Sequence, residues 1–290
     1  MLLVYDVVLD YAKSLRFCIV EYTGMVNRDF IETVWQKGYE LYRDMPWRED
    51  TRPYYVLVSE LMLQQTQVDR VIPKFLAFIE RFPDERALAD APLAEVLTLW
   101  SGLGYNRRAK FLHETAKKIM ADYDGDFPTT RAELLNLPGV GIGTSGAIMA
   151  YAFNEPEIFV ETNVRTVYFH HFFDDRGDVK DDEIVSVLEG TLDRESPREF
   201  YWALMDYGTW LKKQGAGPIQ QSAGYKKQSP LKGSVREVRG QIIRTLTQSD
   251  MTIDELRRAL LVDERFERAL DGLIHDGLVV LANEHVYLTK

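Results

Sequence analysis

The segment Leu137-Pro138-Gly139-Val140-Gly141 is the stretch of this sequence best suited to holding an anion. Pro138 stops the helical pattern before it. Gly139 and Gly141 permit positive φ and leave no side chain between backbone and ligand. The next helix would begin at about Gly143, with free backbone N–H groups at its N-terminus, an arrangement that suits a phosphate oxygen. The bland alternative is a tight turn between two helices. A carboxylate stands on either side of it. Glu60 lies in the apolar stretch VLVSELML, where burial would raise its pKa and keep it protonated near neutral pH; a partly exposed helix glutamate is the other reading. Glu161 lies near the start of a helical pattern, where a carboxylate can serve as an N-terminal cap.

Charge is distributed unevenly. The net charge is −10, which alone argues against a nucleic-acid binder. From Lys212 to Arg244, however, there are eight basic residues against one acid, Glu237. Acids gather elsewhere, at Asp174–Asp182 and Asp250–Glu267. Such a chain can hold a polyanion on one face and repel it elsewhere. The single cysteine, Cys18, excludes an intrachain disulfide and an all-cysteine metal site, and suits a reducing cytoplasm. His170-His171 is the one close histidine pair, and neighbours on a helix point about 100° apart, which is poor for sharing a metal. No metal site is expected. No apolar run reaches membrane-spanning length, so no membrane partner is expected. The first 24 residues carry acids and lack a small-residue cleavage site, which makes a poor signal peptide; their role is unassigned, and Met25 is the better start.

The elements that must position these groups are helices. Residues 27–43 place Phe30, Val34, Tyr39 and Leu41 near helical spacing, and Pro46 and Pro53 bound a loop with Trp47-Arg48. Helical patterns follow at about 54–66, 68–81, 85–89, 92–101, 106–122, 131–136, 143–153, 162–173, 181–193 and 197–212. Residues 213–234 have the composition of a linker. Beyond it come helices at 235–248, from Thr252 with a capping box to Glu255, and at about 263–275, then two strands joined at Ala282-Asn283-Glu284. The expected class is all-α with a small C-terminal winged-helix-like (α+β) module at 235–290.

Six segments occur in an order that carries a family resemblance: Pro46-Trp47-Arg48, SELMLQQTQV at 59–68, LWSGLGYNRRAKFL at 99–112, FP at 127–128, LPGVGIGTSGAIM at 137–149 and FVETNVRTV at 159–167. Over about residues 27–211 the chain resembles the MutY-type adenine DNA glycosylases of the helix-hairpin-helix (HhH-GPD) superfamily. The resemblance implies a two-lobed helix-hairpin-helix fold. A six-helix barrel would span 54–161. A second helical domain would combine 25–53 with 162–211, a basic loop would occupy 212–234, and DNA would lie between the lobes with the target base flipped out.

Breaking an N-glycosidic bond builds positive charge on the sugar and negative charge on the leaving base, which calls for an acid and an anion. By resemblance Glu60 is the acid. Glu161 takes the place of the family's catalytic aspartate, and Asn163 orients the carboxylate or the sugar. Glu161-Thr162-Asn163 stands where the family commonly has Asp-Gly-Asn, so the carboxylate reaches one methylene further. Gly143 occupies the position of a nucleophilic lysine in lyase-competent relatives, implying a monofunctional enzyme that leaves an abasic site. Gln64, Gln65, Thr66 and Tyr105 match residues that enter the stack or meet the opposite base, although Gln-Gln at a helix end is also simply polar and such a tyrosine often packs. Leu137, Gly139, Val140, Gly141, Gly143 and Thr144 would hold backbone phosphate. Arg107, with Arg108 and Lys110, would meet phosphates or be ordinary surface charge.

Two departures matter. Many members hold a [4Fe–4S] cluster on four cysteines after the second-domain helix; the region after Trp210 has no cysteine, which excludes the cluster, and no cofactor is expected beyond a monovalent cation at the hairpin. Lys226 and Lys227 in the basic loop would contact phosphate instead, against the alternative of a free linker. Many members also end in a larger domain that reads 8-oxoguanine; here a short winged-helix-like module would bind duplex DNA, pack or contact protein. The expected activity is excision of adenine opposite 8-oxoguanine or guanine from double-stranded DNA by a monomeric, cytoplasmic, nucleoid-associated enzyme. Removal of thymine, uracil or another damaged base and a non-catalytic DNA-binding role are the alternatives.

Overall fold

The computed structural model describes residues 27–174, 176–260 and 263–289. The N-terminal extension and Cys18 lie outside the described residues. Helices occur in the order α1 (27–41), α2 (Pro46–Glu49), α3 (Pro53–Leu63), α4 (Val68–Arg81), α5 (Glu85–Ala89), α6 (Leu93–Trp100), α7 (Arg107–Asp122), α8 (Arg131–Leu134), α9 (Ile142–Tyr151), α10 (Thr162–Phe172), α11 (Asp181–Thr191), α12 (Pro197–Gln214), α13 (Val235–Leu246), α14 (Ile253–Leu260) and α15 (Arg265–His275). The strands are β1 (Met251–Thr252), β2 (Val279–Ala282) and β3 (His285–Leu288). The chain is thus helical with a small C-terminal sheet, as expected. Where a loop was expected around Trp47-Arg48, Pro46 instead opens α2 at a position that needs no N–H donor. β1, only two residues long, is too short to leave a strand pattern in the sequence.

The chain divides into two compact units. One comprises Asp44–Phe153 with Lys226–Lys290. Its centre is α3, whose Val56, Leu57, Val58, Leu61 and Met62 are at most 2% exposed. A helix buried on nearly every side has no polar stripe, which is why its sequence reads as a continuous apolar run. It packs against α4, α7 and α9. α9 is the second such helix, with Ala147, Ile148 and Ala150 buried.

The C-terminal module belongs to this same unit. Its sheet has the order β1-β3-β2, with Val279 opposite Leu288 and Met251 opposite Val286. Asn283 and Glu284 both have positive φ, as a two-residue hairpin turn between right-twisted strands requires. The expected capping box is present: the Glu255 N–H donates to the Thr252 hydroxyl, and the Thr252 N–H donates to the Glu255 carboxylate. The module is tied to α7 at Asp276. Its carbonyl accepts from Lys110 Nζ at 2.7 Å, and its carboxylate faces Arg239 at 2.5 Å and Arg107 at 3.7 Å.

The second unit holds α1, α10, α11 and α12, from the described residues up to Arg43 and from Asn154–Tyr225. Phe30 and Val34 of α1 are buried, as their spacing predicts. Tyr39 is not: it is 80% exposed and stacks on Trp35. α10 and α12 cross closely at Gly208, where a Cβ would lie 2.5 Å from the Asn163 carbonyl oxygen. After α12 the chain makes a 3-10 turn at Ile219–Gln221. The Gln221 amide donates to the carbonyls of Phe173, Asp174 and Arg176, and its backbone pairs with Val179, so the part of the expected loop up to Tyr225 is fastened to this unit by hydrogen bonds.

Candidate catalytic carboxylates and nucleic-acid interface

The hairpin is built on contacts behind it. Leu137 and Val140 are 3% and 5% exposed, so they anchor the turn and offer DNA only backbone. The Pro138 carbonyl accepts from the Thr115 hydroxyl at 2.8 Å. Gly139 has φ +75°, and a Cβ there would meet Phe111 at 2.7 Å, so both conformation and space demand glycine. Gly141 is the N-cap residue of α9, and no side chain caps that helix. Its first-turn N–H groups therefore have no intrahelical or side-chain partner at the cap, and the space at Gly141 and Gly143 is open. Ile142, 71% exposed, sits at this opening, and its apolar side chain carries no polar signal in the sequence. The Thr144 side chain faces inward. It is 9% exposed and its hydroxyl accepts from Gln64 Nε2 at 3.5 Å, so it links α9 to the end of α3.

Glu60 lies one turn before the end of α3 and is half-buried among apolar neighbours. The chain then turns sharply: Gln64 is the C-cap, and Gln65 has φ +57°. Both glutamines are exposed. The loop before α7 ends in Tyr105, with φ +48° and 38% exposure. Left-handed backbone at a residue other than glycine is strained and needs support.

That support is Arg108, which is not a surface cation. It is 7% exposed. Its Nη1 donates to the carbonyls of Leu61 and Gln64, each at 2.6 Å, and of Met62 at 3.1 Å. Its Nη2 donates to the Gly104 carbonyl at 3.0 Å and, less closely, to the Leu103 carbonyl and the Thr66 hydroxyl. The guanidinium also lies over the rings of Trp100 and Tyr105. One cation thus closes the open C-terminal end of α3 and fastens the 103–104 turn to it. Burial lowers its pKa to about 10, which leaves it charged at neutral pH. Lys110 is likewise engaged, by Asp276 and Glu114. Arg107 remains largely exposed beside Asp276. Lys226 and Lys227 are exposed.

In the other unit, Glu161 is the N-cap residue of α10, yet its side chain makes no capping bond. A helix N-terminus favours a nearby negative charge, and here the carboxylate is not committed to the helix's own N–H groups. Asn163 Nδ2 donates to Met205 Sδ at 3.4 Å, while its Oδ1 is buried without a hydrogen-bond partner. His170 and His171 stack edge-on. His171 pairs with the Tyr207 hydroxyl at 2.9 Å, and among the described residues no cluster suits a metal ion. No helix among the described residues is long and apolar enough to cross a membrane. The segment Lys212–Lys232 has no cysteine, so its donor set does not fit an iron–sulfur cluster.

Residues 58–187 match the HhH-GPD superfamily of base excision DNA repair proteins. The adenine DNA glycosylase of Mycolicibacterium smegmatis is 38% identical over 259 residues, covering 82% of this chain and 88% of that protein. The adenine DNA glycosylase of Buchnera aphidicola subsp. Baizongia pistaciae is 38% identical over 173 residues, covering 58% of this chain and 48% of that one, so the match spans about half the length of that relative. A solved thermostable thymine-DNA glycosylase aligns with TM-score 0.59 and 27% identity, over 64% of this chain and 87% of that chain.

Proposed function

The chain belongs to the adenine DNA glycosylases of the helix-hairpin-helix superfamily, DNA-repair enzymes that cleave N-glycosyl bonds, and we propose that it hydrolyses the bond to an adenine mispaired with 8-oxoguanine or guanine in duplex DNA. One observation carries this reading. A single unit gathers Glu60, the Gln64-Gln65 turn, Tyr105 and the hairpin, joined by the Gln64–Thr144 bond and by Arg108. The hairpin's open N–H groups take a phosphate, Gln65 and Tyr105 enter beside the vacated base, and Glu60 protonates the extruded base so that it leaves neutral. Glu161 stabilises the cationic sugar, with Asn163 orienting it. Water adds to the sugar carbon, its proton is released, and an abasic site results. Gly143 offers no amine, so no Schiff base forms. The enzyme works without a cofactor, as a monomer on chromosomal DNA in the cytoplasm.

The likeness to a thymine-DNA glycosylase favours a second reading, removal of thymine or uracil opposite guanine. Duplexes carrying A:8-oxoG, A:G, T:G, U:G or hypoxanthine separate the two. Glu161→Gln and Glu60→Gln should each abolish cleavage of the preferred duplex while DNA is still bound. Cleavage of T:G but not A:G would establish the second reading, and cleavage of none would leave a DNA-binding protein. Borohydride should trap no covalent adduct.

A further inference from the structure

The basic loop and the first helix of the C-terminal module reach the two strained tips of the proposed DNA-reading surface. The Gln228 amide donates to Gln65 Oε1 at 2.7 Å and also to the Tyr105 hydroxyl. Arg236 Nη1 donates to that same hydroxyl at 2.5 Å, and its guanidinium lies 5.8 Å from the ring centroid. Nη2 of Arg236 holds the Ser229 carbonyl at 2.6 Å, next to Gln228 in the chain. One turn on in α13, Arg239 is bound to Asp276. The contact is therefore rooted in the same anchor that ties the module to α7.

We propose that Gln228 and Arg236 are positioning residues for recognition of the mispaired duplex: they set the posture of Gln65 and Tyr105 at the site of base extrusion. The inference rests on the role given above to those two tips. A segment lying over a DNA-binding tip can also act as a cover that competes with DNA. Charge decides between these. A competitor of a polyanion is acidic, whereas this segment carries Lys226, Lys227, Lys232 and Arg236, and its one acid, Glu237, is engaged by Arg265 and the Gly233 N–H. The segment adds positive charge to the surface instead of mimicking the ligand. Both donors converge on one hydroxyl.

The test uses the full chain with Gln228→Ala, Arg236→Ala, Arg236→Lys, Tyr105→Phe, Tyr105→Ala and the Gln228→Ala/Tyr105→Phe pair. Binding to mispaired and fully paired duplexes is measured along with single-turnover cleavage and thermal midpoint. Gln228→Ala and Arg236→Ala should each narrow the preference for mispaired over paired DNA about 5- to 30-fold, with an unchanged midpoint. Arg236→Lys, which keeps one donor, should restore part of it. The Gln228→Ala/Tyr105→Phe pair should lose less than the sum of its two single variants, because they share the bond at the Tyr105 hydroxyl. Faster cleavage in Gln228→Ala or Arg236→Ala would show a cover and overturn the proposal, as would additive losses. If Tyr105→Ala weakens mispair binding while both partner variants behave as the parent, the inference fails and the role of Tyr105 stands. If Tyr105→Ala has no effect, both fall.

Discussion

Replacing Arg108 with methionine removes the charge and the five donors while keeping a side chain of similar length. Its two 2.6 Å bonds, to the Leu61 and Gln64 carbonyls, contribute about 1.5–3 kcal/mol each, as charge-assisted hydrogen bonds do. Burying the cation offsets roughly 3 kcal/mol of this, from a pKa lowered from 12.5 to about 10 at about 1.4 kcal/mol per pKa unit. Methionine recovers that offset but leaves the carbonyls at the end of α3 without donors, at about 1–3 kcal/mol for each that water cannot reach. The net expectation is a loss of about 2–5 kcal/mol. Lysine should recover little of it, since a point charge cannot span two turns with a planar fork. Denaturant unfolding measures the total. Hydrogen exchange at the amides of 64–66 and 103–105 localises it, because both turns should open together. Cleavage of mispaired DNA should fall with them. A loss under about 1 kcal/mol, with exchange in the two turns unaltered, would refute the claim that Arg108 is what joins them.

Three further outcomes follow from the geometry. Gly208→Ala places a Cβ 2.5 Å from the Asn163 carbonyl oxygen and 2.9 Å from its Cα; α10 must shift, costing about 1–3 kcal/mol, and single-turnover rate should fall more than DNA affinity, whereas an unchanged rate would separate Asn163 from catalysis. Burial holds His171 at a pKa of about 4 against 6.5 in the unfolded chain, so the folded state binds fewer protons between those values; the stabilisation is complete above pH 6.5 and is lost as pH falls toward 4, and unfolding of a His171→Gln variant should lose that slope. Charge reversal of Lys226 and Lys227 should weaken DNA binding and flatten its dependence on salt, and an unaltered slope would place both lysines outside the phosphate contacts.

The sequence reads clearly where local pattern and tertiary role coincide. Glycine at 139 is demanded by its own φ as well as by Phe111, so the hairpin is visible in one string. α3 reads as an apolar run because it is buried on nearly all sides. Arg108 is illegible for the opposite reason. An arginine at the start of an otherwise ordinary amphipathic helix reads as surface charge, and only the folded chain brings carbonyls more than 40 residues away onto its guanidinium. Gln228 and Arg236 lie beyond reach in the same way. Their partners are 123 to 163 residues distant, and the composition around them is that of a linker. The inward bond of the Thr144 hydroxyl to Gln64 is likewise not legible from its place in the hairpin helix.

These long-range contacts explain why two residues other than glycine can hold left-handed backbone at the tips. Such a conformation costs about 1–3 kcal/mol at each, and it persists only where the surroundings determine it. At Gln65 and Tyr105 they do so from two directions. Arg108 fixes the chain beneath both tips, at Gln64 and Gly104, while Gln228 and Arg236 engage the side chains themselves. A tip already ordered loses little entropy on entering a base stack, so more of the contact energy remains to offset the cost of unstacking. The two layers should then fail differently. Loss of Arg108 releases the backbone and so lowers stability and recognition together. Loss of Gln228 or Arg236 leaves the backbone strained but held, and shows itself only when DNA must be read.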